Sequence, residues 1–161
     1  MILSTHAIVG GAIASLFPSH PLLVALAGFA SHFAIDAIPH WDYPLRSISV
    51  GRKADNRRLK ISVLLVRDLS LIGADACFGL ATALLLFATA GTVWVIALGA
   101  VAGMLPDPLQ FVHSLYPREP LKSLQRFHGW MHSKRKLAWR IGVASQVAFA
   151  TVVSGAAIAL Q

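Results

Sequence analysis

His32 and Asp36 stand four residues apart inside an apolar run, and His40 follows four residues later, just past Pro39. On a helix, positions four apart lie one above the other on the same face. An imidazole nitrogen and a carboxylate oxygen so placed converge on one point, which suits two ligands of one metal ion. His128 and His132 repeat the spacing. Asp107 sits between Pro106 and Pro108 at the end of another apolar run, Asp75 lies deep within a third, and His6 comes near the start. Imidazole and carboxylate without thiolate point to a divalent ion, zinc first and manganese or iron after it, rather than copper(I). The candidate ligands are His6, His32, Asp36, Asp107, His128 and His132, enough for one or two ions. Asp75 and His40 read as catalytic groups or as further ligands beside them. Such a site activates water and stabilises a leaving oxygen, the chemistry of phosphoester hydrolysis. Each residue also has a plainer reading: a lone histidine in a helix is usually a hydrogen-bonded interior residue, and Asp107 between prolines is a turn residue.

The elements that must position these groups are long and apolar. Of 161 residues, 56% are hydrophobic and 13% charged, and mean hydropathy is +0.65. A soluble domain carries about a quarter charged residues, so a single domain whose outside faces lipid is expected. Leu22–Ile38, Leu69–Ala88, Thr92–Leu105 and Ile141–Leu160 are apolar runs nearly free of charge, and Ile2–Phe17 is a shorter fifth. A spanning helix needs about 20 such residues. Pro18 and Pro21 close the first helix, Pro39 the second, and Pro106 with Pro108 the fourth, since proline cannot continue a helix. The third is expected from Leu59 to Ala88, and a short helix from Leu121 to Ser133 is expected within a cytoplasmic excursion, Pro106 to Lys136. The fold class is therefore all-α: an integral membrane bundle of about five transmembrane helices.

Facing follows from small residues, because membrane helices pack through them. His6 shares a stripe with Gly10 and Ala14, His32 with Gly28 and Ala25, Asp107 with Gly99 and Gly103, and Asp75 with Gly79. Each polar group is thus expected to face the other helices. The formal charge of +7 does not point to nucleic acid, because all 14 Lys and Arg fall between Arg46 and Arg67 or between Arg118 and Arg140. Basic connections alternating with uncharged ones are the positive-inside pattern. It predicts a multi-pass membrane protein, with the N-terminus and both basic loops cytoplasmic and membrane lipids as neighbours. Cys77, the one cysteine, is given no role.

Three motifs carry a resemblance: His6 with Gly10, Leu105-Pro106-Asp107, and His128-Gly129-Trp130-Met131-His132-Ser133. With these the chain resembles small bacterial inner-membrane proteins described as membrane-bound metal-dependent hydrolases, including the LexA-binding group. That family has its two late histidines five apart, whereas here they are four apart, and Pro108-Leu109-Gln110 replaces the acidic residue and histidine expected after Leu-Pro-Asp. Pro39-His40-Trp41-Asp42 looks more like that missing part, and His32-x3-Asp36 is loosely similar to a segment of zinc-dependent phospholipases C. The resemblance implies a metal-dependent hydrolase in the membrane. A lipid or isoprenoid phosphoester headgroup is the expected substrate class. The alternatives are a non-catalytic accessory subunit of a membrane complex, or a haem or di-iron redox protein using the same histidines.

Overall fold

The structure is a computed structural model that describes residues 1–47 and 62–161. Seven helices form among these residues: α1 (Leu3–Leu16), α2 (Pro21–Asp36), α3 (Val63–Phe87), α4 (Val93–Met104), α5 (Pro106–Leu115), α6 (Leu121–Met131) and α7 (Trp139–Ala159). No strand appears among them, so the fold is all-α. The expected start of the third helix at Leu59, and most of the first basic stretch, lie outside the described residues. α3 and α7 are long and apolar enough to cross a membrane, and α4 with α5 makes a third such unit, bent by 49°. α1 and α2 are apolar but shorter, at 14 and 16 residues.

The prolines act as expected at most boundaries. Pro21 occupies the first turn of α2, where its missing N–H costs nothing, and the chain leaves α2 before Pro39. One expectation needs correcting. Pro106 does not release the chain into a loop; it opens α5, with Asp107 in the first turn. The excursion after α4 is therefore a helical pair, α5 and α6, and α6 begins at Leu121 as expected.

α1 is the central helix, and its residues are buried from Leu3 to Ala12. α2, α3, α4 and α7 surround it. Glycine makes this possible at the α1–α4 crossing: a Cβ on Gly10 would strike the Gly99 backbone, and one on Gly103 would strike the carbonyl of His6. Gly28 of α2 approaches the Gly99 carbonyl, and Gly79 of α3 lies on Ser4. The small-residue stripes thus mark the helix crossings. Apolar side chains elsewhere point outward, among them Leu22 and Leu26 of α2, Val63, Phe78 and Leu85 of α3, and Val152 of α7.

Candidate metal centre

Asp36 is the last residue of α2 and is fully buried. Five of the chain's seven histidines — His6, His32, His40, His128 and His132 — bring Nε2 to within 3.8 Å of one of its oxygens. Each arrives by a different local route. His32 stands one turn earlier on the same face, as the spacing requires. His6 comes from the first turns of α1 and stacks on His32, with ring centroids 3.9 Å apart. α6 supplies His128 in its last turn and His132 just past its end. His40 is brought in by main-chain pairing: the Ser133 N–H donates to the Asp36 carbonyl at 2.7 Å and the Leu137 N–H to the His40 carbonyl at 3.0 Å. The segment after α6 therefore runs beside the segment after α2.

The tautomers follow from the backbone. A carbonyl only accepts, so the ring nitrogen beside it carries the proton. His32 Nδ1–H donates to the Gly103 carbonyl at 2.8 Å, His40 Nδ1–H to that of Ile38 at 2.6 Å, and His132 Nδ1–H to that of Ser133 at 3.1 Å. In the neutral ring, each Nε2 then keeps its lone pair. Burial pushes the His40 and His132 imidazoles below their ordinary value, and for His40 the nearby Met1 amino charge adds to the effect. Both are therefore neutral at pH 7.

These lone pairs face carboxylates. His32 Nε2 lies 3.3 Å from Asp36 and 3.5 Å from Asp107, whereas His128, whose Nδ1 accepts from the Gln110 amide at 2.7 Å, turns its Nε2–H to Asp36 at 3.1 Å and lies 3.9 Å from Asp107. Two ligands about 2.0–2.1 Å from one tetrahedral ion are roughly 3.3 Å apart. The separations match. Neither nitrogen of His6, nor Nε2 of His32 or His40, forms a hydrogen bond among the described residues, although all are buried. A buried polar atom without a partner is costly, and lone pairs set against carboxylates repel unless a cation lies between them. The donor set fits a divalent ion.

Two four-to-three-residue groupings satisfy ligand spacing: His32, Asp36, Asp107 and His128, and Asp36, His40 and His132. Asp107, at the start of α5, is held by the Gln110 amide at 3.1 Å, and the same amide nitrogen lies 2.7 Å from His128 Nδ1. Side-chain exposure rises to 28% at Asp107, 24% at His132 and 31% at Asp42, so the cluster opens on that rim and is closed on the α1 side.

Of the expected residues, His6, His32, Asp36, His40, Asp107, His128 and His132 come together. Asp75 does not join them. Its carboxylate accepts the Ser4 N–H at 2.9 Å and the Tyr43 hydroxyl, while that hydroxyl accepts the Leu3 N–H at 3.0 Å. Burial, and then Asp75 itself, push the Tyr43 phenol up, so it stays protonated and donates. Asp75 and Tyr43 together cap the N-terminus of α1, which offers no capping side chain of its own. Three participants were not foreseen. Asp42 lies 3.0 Å from His40 Nε2 and pairs with Lys136, and Gln110 spans Asp107 and His128. Only Asp42 left a trace in the sequence, in Pro39-His40-Trp41-Asp42.

No protein-family model, curated protein or solved structure matches this chain.

Proposed function

We propose that this chain is a membrane-embedded, metal-dependent phosphoester hydrolase acting on a lipid-like or phosphorylated headgroup at the cytoplasmic face. One observation carries the metal: three imidazoles commit Nδ1–H to backbone carbonyls and turn Nε2 toward Asp36. His32, Asp36, Asp107 and His128 would hold the ion. A divalent ion there lowers the pKa of water and polarises a phosphoryl oxygen. The chain's own groups do the rest. The carbonyls of Gly103, Ile38 and Ser133 fix ring orientation, and Gln110 steadies Asp107 against His128. The buried α1 side excludes water from behind the cluster. The exposed basic side chains Lys122, Arg126, Lys134 and Arg135 lie on α6 and just after it, at the same end as the open rim. Their field favours an anionic headgroup.

The membrane reading completes the proposal: five spans in the inner membrane, with the N-terminus inside. α1 is only about 21 Å long at 1.5 Å per residue, short of a roughly 30 Å hydrocarbon core. Its neighbours cover it, so it need not match the bilayer alone. Reporters fused after Tyr116 should be cytoplasmic and at Gln161 external; a cytoplasmic Gln161 would remove one span. For function, protein purified in detergent should retain zinc, manganese or iron and release phosphate from a phosphorylated lipid. His32→Ala should lose both properties. Full occupancy in that variant would leave the polar core as packing and favour the accessory-subunit reading.

A further inference from the structure

The two ligand groupings share a single residue, Asp36, and differ in everything else. Both groupings reach its oxygens. Oδ2 faces His32 at 3.3 Å and His128 at 3.1 Å, while Oδ1 faces His40 at 3.8 Å. His132 approaches Oδ2 from the second side at 3.6 Å. The second grouping also has a further donor close by: Asp42 lies 3.0 Å from His40 Nε2 through Oδ1 and 3.9 Å from His132 Nε2 through Oδ2. His40 is fully buried, and its Nε2 is turned inward without a hydrogen bond. That orphaned nitrogen is independent of the first grouping, since the pairing between the segments after α2 and α6 sets it in place.

We propose that the centre holds two divalent ions side by side, with Asp36 as their shared carboxylate. His32, Asp107 and His128 complete the first position, and His40, His132 and Asp42 complete the second. This rests on the metal reading above and deepens it. Paired ions about 3.5–4 Å apart would clamp both the attacking and the leaving oxygen of a phosphoester, the substrate class proposed above. The second position has competitors. The Met1 amino group lies 2.8 Å from Asp36 and 3.0 Å from Asp42, and Lys136 pairs with Asp42. An ion must displace these cations.

Metal titration on the full chain decides the matter. Protein stripped with a chelator and reloaded with Mn²⁺ alone should bind two equivalents. Its electron paramagnetic resonance spectrum should be that of an exchange-coupled pair rather than an isolated six-line ion. His40→Gln should halve the stoichiometry and restore the isolated-ion spectrum, and His32→Gln should also remove one equivalent. A single equivalent in the wild type, untouched by His40→Gln and abolished by His32→Gln, overturns the second position and leaves the metal hydrolase standing. Two equivalents without coupling overturn the shared carboxylate. No bound ion sinks both readings. Should His40→Gln fail to fold, the wild-type stoichiometry and spectrum still give the answer.

Discussion

Asp36 and Asp75 lie near the same end of α1, yet their surroundings differ in kind. Asp75 meets donors: a backbone N–H of α1 and the Tyr43 hydroxyl. Asp68, two turns before Asp75 on α3, is treated alike, accepting the N–H groups of Arg46 and Ser47 and the Ser47 hydroxyl. Such carboxylates are satisfied by the protein itself. Asp36 meets imidazoles, three of which have their proton on the far side of the ring and a lone pair toward the carboxylate. A cation offsets that repulsion, and the Met1 ammonium 2.8 Å from Asp36 occupies the place a metal ion would take. The lesson is that depth and facing do not tell a carboxylate that could hold a metal from a capping one. The direction of the neighbouring protons does.

The largest expected effect tests the Asp36 half of this contrast. Asp36→Asn removes one negative charge and an oxygen common to both ligand groupings, so metal affinity should fall by at least about 100-fold, the upper end of what loss of a supporting partner costs. Calorimetric titration with Zn²⁺ on detergent-solubilised protein measures it; an unchanged affinity would put the ion elsewhere. Gln110→Leu should be milder. It frees Asp107 and His128 without deleting either, and roughly a 10-fold loss of affinity is expected in the same titration.

The Asp75 half predicts the opposite pattern. Asp75→Ala removes a helix cap, worth about 1 kcal/mol, so thermal stability should drop while bound metal, measured by elemental analysis, stays at the wild-type level. Tyr43→Phe should behave alike. Metal loss in both variants at unchanged stability would erase the contrast.

The smallest effect is a pH dependence of the metal-free protein. His40 and His132 sit below their ordinary value when folded, so the unfolded chain binds more protons than the folded one. Their contribution is complete above about pH 6.5, the unfolded value, and drains away as pH falls through the depressed folded values. The share of the melting temperature carried by these two groups should be level from about pH 7 to 8 and shrink toward about pH 5. Replacing both histidines with glutamine should flatten that slope.

Much of the arrangement was legible because apolar helices packed through small residues have a narrow vocabulary. Apolar runs and prolines located α1, α2, α4 and α7 to within two or three residues, and the glycine stripes named the crossings where helices touch. His32 and Asp36 were legible as a pair because one helix carries both. α5 was not, because Pro106 and Pro108 read as a stop when proline in a first turn is equally a start. Asp42 and Gln110 were hidden for another reason: their neighbours come from α6 and the segment after it, and no periodicity records a pairing between separate chain segments. Asp75 was placed in the site on the strength of its shared face and level. Tyr43 reaches it first.

The glycine seam between α1 and α4 has a consequence for the order in which the molecule comes apart. Helices whose backbones touch at Gly10 and Gly99 cannot slide or rotate past one another without losing the whole contact. Amide hydrogens along that seam should exchange with solvent only when the entire bundle opens. α5 and α6 lack such a seam, and they carry Asp107 on the partly exposed rim and His128, buried, behind it. Half of the centre is thus mounted on a rigid frame and half on an arm that can yield alone. The arm can therefore shift Asp107 and open the cluster while His6, His32 and Asp36 stay where the frame holds them.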